Sequence, residues 1–418
     1  MARLRSTYRF GKVAGRTVRA TLFFFAFLLF QPPIAFATPP VALDMRIAGD
    51  HEVSRIVIEF DEPVEVTHTI LDRPWRLVLD LGKIAYGFND SAVRNSNLIE
   101  SVRYGDMSEE HSRIIFETGK PFKVRTIDTR AAAQDGRHNL VIDLEVTDAR
   151  TFADALDRKL TTTSLVNTAQ KRDRLGAVRN RDDTFTIVLD PGHGGIDDGA
   201  RGTQGTMEKD ITLEFAEVLR DRLSGYMGAE VFMTRDSDVF VALGDRTGFA
   251  RQHGADLFIS IHADYLRQQD VRGATIYTIS EKASDAVSAA IAKDQNLADS
   301  VAGVELPDSG DEVTDILVDL TRRETLGFSV QFARLAISDL RGFARLIKNP
   351  HRYAGFYVLK APDVPSVLIE LGYLSNQDDE KLMNDAEWRD GLADRLAAAI
   401  EKFAALSSKD LALAPDAQ

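Results

Sequence analysis

Apolar and polar positions divide the chain into two halves. Between residues 40 and 147, short, partly alternating runs recur at Arg55-Ile56-Val57-Ile58-Glu59-Phe60, Arg76-Leu77-Val78-Leu79-Asp80-Leu81, Arg113-Ile114-Ile115-Phe116-Glu117 and Leu140-Val141-Ile142-Asp143-Leu144. Turn residues separate them, as at Asp61-Glu62-Pro63, Gly119-Lys120-Pro121 and Asp135-Gly136. Period-two runs between turn signals predict the strands of a small all-β sandwich. Residues 148–183 are polar and read as a linker, helical in part at 153–160.

From Thr184 the pattern changes to strand, helix, strand. Thr186-Ile187-Val188-Leu189, Leu257-Phe258-Ile259-Ser260-Ile261 and Ser366-Val367-Leu368-Ile369 are continuous apolar runs of strand length. Leu213, Ala216, Val218, Leu219 and Leu223 have helical spacing after Asp210, and residues 246–253 and 386–406 also read as helices. Further strands are predicted over 230–234, 273–277 and 355–359. This alternation predicts an α/β domain at 184–406 with a mostly parallel, helix-covered sheet, followed by a tail at 407–418. Between Tyr277 and Tyr357 lies more chain than one crossover helix needs. Helices are expected over 284–298 and 312–346, with Gly303 to Gly310 between them. The insertion, at about 282–350, is either an ordinary packing layer or a lid.

Composition narrows the chemistry. The 418 residues suffice for two domains with their own cores, and the absence of cysteine excludes disulfides and thiolate metal sites. Any zinc would need histidine and carboxylate ligands. Residues 1–37 combine Arg3, Arg5, Arg9, Lys12, Arg16 and Arg19 with a short apolar core at 22–30 and Ala35-Phe36-Ala37. This reads as a secretory signal peptide for general export, with no transmembrane anchor after cleavage. The formal net charge of −13 becomes −19 without those six basic residues. No basic stripe remains, so nucleic acid is not an expected partner.

Three strand ends carry the candidate site. The strand at Leu189 runs into Asp190-Pro191-Gly192-His193-Gly194-Gly195, the next ends at His262, and a third ends at Glu370. Open α/β sheets place their chemistry at such ends. His193 and His262 are read as metal ligands. Glu208, ahead of the helix that Asp210 is expected to cap, joins them through the Gly-rich loop. Glu370 follows so apolar a strand that burial raises its pKa, which suits a group moving protons. His51, His68, His111 and His138 are scattered over the β-half and form no constellation.

Four motifs in order carry a resemblance. Leu189-Asp190-Pro191-Gly192-His193-Gly194-Gly195, Glu208-Lys209-Asp210, Ser260-Ile261-His262-Ala263-Asp264 and the segment from Pro365 through Glu370 to Asn376 resemble the zinc-dependent N-acetylmuramoyl-L-alanine amidases. The β-half at 40–147 resembles the AMIN domain that precedes such enzymes and targets them to septum or peptidoglycan. The resemblance implies one Zn2+ held by His193, Glu208 and His262, with Glu370 as the catalytic carboxylate. The amide between the lactyl group of N-acetylmuramic acid and L-alanine would be cut during septal wall splitting in the periplasm. The insertion resembles that of the cell-division members, in which an inserted helix occludes the metal until a LytM-domain-type activator displaces it. Relatives often carry a Glu-Asn pair there; this chain has Asp294-Gln295-Asn296, so either Asp294 substitutes or occlusion is mainly steric. Val313, Ile316, Leu317 and Leu320 form an apolar stripe that is either core or an activator docking face. The competing readings are a non-catalytic wall-binding division scaffold and a zinc peptidase cutting within the stem peptide.

Overall fold

A computed structural model describes residues 38–88, 98–132, 136–163, 184–224, 229–304 and 316–413. The expected leader at 1–37, the linker beyond 163 and the side chains of the stripe at 313–320 lie outside the described residues.

The β-half is a sandwich. Strands β1 (Val41–Gly49), β2 (Val53–Phe60), β5 (Ala85–Tyr86), β8 (Phe122–Ala131) and β9 (His138–Val146) form a sheet of order β5-β1-β2-β9-β8. Strands β3 (Val66–Leu71), β4 (Trp75–Gly82), β6 (Ile99–Asp106) and β7 (His111–Thr118) form the other, of order β3-β4-β7-β6. Alternate residues fill the space between: Ile56, Ile58 and Phe60 from one sheet, Leu77, Leu79, Ile114 and Phe116 from the other. Helix α1 (Ala149–Thr163) closes one end by packing Phe152 edge-on against Phe122.

The second half is a six-stranded sheet of order β11-β10-β12-β15-β13-β14. Its strands are β10 (Phe185–Pro191), β11 (Ala229–Met233), β12 (Leu257–His262), β13 (Ala274–Ile279), β14 (Leu346–Ala354) and β15 (Ser366–Glu370). β10, β11, β12 and β15 are parallel, and β13 joins β15 antiparallel. Continuous apolar runs are what a doubly covered sheet requires. Ile187, Leu189, Ile259 and Ile369 meet helices α2 (Glu208–Leu223), α6 (Ile316–Leu340) and α8 (Ala386–Leu413). Val188, Phe258 and Leu368 point the other way, towards α3 (Leu243–Gln252) and α4 (Ala286–Gln295). Short helices α5 (Ala298–Val301) and α7 (Gln377–Met383) complete the set. Among the described residues, no helix is long and apolar enough to cross a membrane.

Several expectations need correction. The strand expected over 355–359 is a 3-10 helix at Tyr357–Leu359, and the true edge strand is β14, which begins inside the stretch expected as insertion and runs past its end. Gly342, at φ 86°, turns the chain out of α6, and Pro350 sits where the β13–β14 register slips, so it costs no ladder bond. The second half of α6 is no lid either, because Phe332, Ala333, Ala336 and Leu340 are core. The tail expected from 407 continues as helix to Leu413. Asp210 is not a cap: α2 begins at Glu208 itself, after Met207, which makes no side-chain capping bond.

Candidate metal centre

Strand order alone locates the site. From β10 the chain crosses to β11 on one side, then to β12 on the other. The carboxyl ends of β10 and β12 therefore border the topological switch point, where open sheets leave a crevice. His193 follows β10, His262 ends β12, and Glu370 on β15 is the direct register partner of His262.

The turn after β10 is built to present an imidazole. His193 adopts φ 62°, a left-handed value rare outside glycine. Gly192 has no alternative there, since a Cβ would lie 2.3 Å from the His262 ring. Two buried guanidinium groups collect the carbonyls this turn leaves behind. Arg246 donates to Pro191 O and His193 O and pairs with buried Asp190, each at 2.8 Å. Arg235 donates to Pro191 O and Gly192 O at 3.0 Å; burial lowers its pKa to about 10. Asp190 also accepts from Thr234 and Ser260. Removing one member of a buried pair leaves the other uncompensated. Arg246→Ala is therefore expected to cost about 3–5 kcal/mol, read as a lower denaturant midpoint at an unchanged slope; a midpoint like the parent's would refute this role.

The sequence-predicted residues do meet. The His193 and His262 rings are 5.1 Å apart, nearly perpendicular. Glu208 is wholly buried between them, with Oε2 3.1 Å from His193 Nε2 and Oε1 3.1 Å from His262 Nδ1. The same oxygens accept the backbone N–H groups of Ala200 and Ala263. One donor atom from each of the three residues lies within 4.8 Å of the other two, an arrangement able to hold a metal ion. The loop fold-back that brings Glu208 here is anchored by Glu380, which accepts from Thr203 and Gln204.

Residues that sequence reasoning passed over complete the shell. His193 Nδ1 donates to Asp197 Oδ2 at 2.8 Å, which fixes the tautomer and leaves Nε2 free to bind. A carboxylate four residues after a candidate ligand, in a Gly-rich loop, was the available signal. Asp264 is the second omission. Its N–H donates to Glu370 Oε2 at 3.1 Å, while Glu370 Oε1 and Asp264 Oδ2 are buried with no partner. Unpaired carboxylate oxygens beside two imidazoles and a third carboxylate suit a site made for a cation and a polar reactant.

Burial and charge act together. Burial opposes a charged His193, but Glu208 and Asp197 outweigh it and hold its pKa well above the ordinary value. Burial likewise opposes the Glu208 carboxylate, and the adjoining imidazoles reverse this, keeping it well below the usual range. Burial lowers His262 despite Glu208. Glu370 is pushed well above the ordinary value by burial, with Asp264 adding to it, and Asp264 rises to about 8 by burial and the charge of Glu208.

Helix α4 roofs this site. Gln295, 7% exposed, brings Nε2 to 3.4 Å from His193 Nε2, and the cavity left beside His193, His262 and Phe356 is about 10 Å3. Of the two inserted residues singled out above, Gln295 reaches the site; no contact joins Asp294 to His193, Glu208 or His262. Asn296 ties the end of α4 to Gly355 O and Tyr357 N, and Asp299 accepts from Leu243 N. Asp285 caps the start of α4 through Ser288 N.

Known proteins resemble the chain along most of its length. The family described as N-acetylmuramoyl-L-alanine amidase matches residues 187–402, and the AMIN domain family matches residues 43–144. The chain is 30% identical over 389 residues to the N-acetylmuramoyl-L-alanine amidase AmiC of Escherichia coli O6:H1, covering 90% of this chain and 92% of that one. It is 36% identical over 218 residues to AmiA of Escherichia coli K12, covering 52% and 75%. The structure of amidase AmiC2 of Nostoc punctiforme aligns at 26% identity with a TM-score of 0.38, covering 52% of this chain and 96% of that one. With the amidase match spanning the strand ends that carry His193, His262 and Glu370, and the AMIN match spanning the sandwich, the chain belongs to the N-acetylmuramoyl-L-alanine amidase family.

Proposed function

We propose that this protein cleaves the amide between the lactyl group of N-acetylmuramic acid and L-alanine in peptidoglycan, using zinc held by His193, Glu208 and His262. The convergence of two imidazoles and a buried carboxylate within 4.8 Å carries the reading, because two nitrogen ligands and one oxygen ligand are a catalytic zinc set with one position left open. Bound there, zinc would polarise the scissile carbonyl and acidify a water. The chain's own residues do the rest. Asp197 holds His193 in its ligating tautomer. Glu370 Oε2 is held by Asp264 N, and its free Oε1 takes the water's proton and returns it to the alanine nitrogen as that leaves. The raised pKa of Glu370 suits both halves of this transfer.

The test is digestion of purified wall sacculi with zinc supplied. Intact stem peptides beginning with L-alanine should appear, with glycan strands uncut. Shortened stems would mean a peptidase instead. The basic, then apolar leader supports export to the periplasm, and the AMIN domain supports enrichment at the septum.

The resting enzyme is closed in this reading. Gln295 sits against His193, and about 10 Å3 beside it admits no peptide. An activator of the LytM-domain type would lift α4. Removing residues 282–350 would also take all of α6 and about half of β14, so a smaller change is the cleaner test. Exchange of residues 286–301 for a Gly/Ser linker should raise activator-free hydrolysis at least roughly ten-fold, as for an open state populated a tenth of the time or less. An unchanged rate would end the lid reading.

A further inference from the structure

Strands of a sandwich bury alternate residues and give the others to water. The sheet β3-β4-β7-β6 departs from that rule. Leu77, Leu79, Ile114 and Phe116 fill the interior, yet Val78 and Ile115, register partners on the opposite face, are each only 2% exposed. Leu71 joins them, and the catalytic half covers all three with Ile196 of the His193 loop, Phe240, and Ala302 just beyond α5. The approach is close enough to need a glycine: a Cβ on Gly105 would lie 2.6 Å from Ile196 Cα.

Two arginines frame this apolar contact. Arg76 donates Nη1 to Ser300 O. Arg113, held by Asp80 at 2.6 Å, donates Nη1 to Ala302 O at 2.7 Å. These carbonyls end the segment that carries Gln295, and Ser300 O takes the guanidinium in addition to the Gly303 N–H. A cation there is favoured by the helix dipole as well as by the bond itself.

We propose that the outer face of this sheet is a clamp for the lid. Arg76 and Arg113 are positioning residues. They fasten the carboxyl end of the α4–α5 segment from the β-domain, while Asn296 and Asp299 fasten it from the catalytic side. The proposal rests on the closed-lid reading above and adds that the AMIN domain takes part in keeping the enzyme closed. Opening then has two fastenings to undo, one on each domain.

The test uses the full chain carrying Arg76→Ala with Arg113→Ala, and separately Val78→Ala, which thins the apolar contact and places no charge beside either arginine. Amide hydrogen exchange should quicken across residues 286–302 in both, with β1, β2 and β9 as protected as before. Activator-free release of stem peptides should rise roughly ten-fold, the scale of one lost charge-assisted bond. Exchange at 286–302 equal to the parent's, with β1, β2 and β9 intact, would overturn the clamp whatever the activity. The linker exchange of residues 286–301 separates the readings: if it activates and the arginine variants do not, the lid stands and the clamp falls. If it does not activate, the lid itself fails, and hydrogen exchange alone decides the clamp.

Discussion

Glu370→Gln should lower the rate of stem-peptide release by about 10²–10⁴-fold, the usual loss when a positioned acid–base group is removed. Glutamine is the informative choice. Its carbonyl oxygen can still accept from Asp264 N–H, and its volume matches a position with no exposed surface. Alanine would open a cavity at the end of β15 and mix a stability loss into the kinetic one. The amide also removes no metal ligand, so metal content should equal that of the parent. A variant retaining a tenth of the parental rate would remove Glu370 from the mechanism and leave Asp264, whose Oδ2 is also unpaired, as the next candidate.

His262→Ala should abolish both metal binding and hydrolysis. Its Nδ1 faces Glu208, and only His193 would remain to share that carboxylate. The effect extends to stability. A ligand that binds only the folded state adds about 4 kcal/mol when present at a thousand times its dissociation constant. Chelation should therefore lower the melting temperature of the parent and leave His262→Ala where it is. Equal metal content in the two proteins would contradict the ligand assignment, and an equal response to chelator would contradict the coupling to stability.

The parts legible in the sequence were those carried by local pattern. Three apolar runs, each ending in a chemical group, predicted β10, β12 and β15 with His193, His262 and Glu370 at their ends, because strands buried on both faces have to be apolar throughout. β14 was hidden for the opposite reason. As an edge strand it carries Lys348, Asn349, Pro350, His351 and Arg352, a run that reads as loop or helix end. Arg235 and Arg246 were illegible as site residues because their roles exist only through space. Arg246 looks like an ordinary helix charge until the fold sets it against the carbonyls of the His193 turn. The start of α2 was misplaced because Glu208 and Asp210 both fit a first turn, and only the fold, which sets the Glu208 carboxylate between two imidazoles, decides between them.

The outward pair Val78 and Ile115 has a bearing on how freely the two halves could be recombined. A sandwich whose spare face were polar would be an interchangeable module, portable onto any enzyme by a length of linker. This one has an apolar patch that matches Ile196, Phe240 and Ala302 of its own enzyme. Produced alone, it would expose that patch to solvent and tend to self-associate. Grafted before a different amidase, it would meet an unmatched surface. Shuffling at this boundary therefore selects for halves that change together.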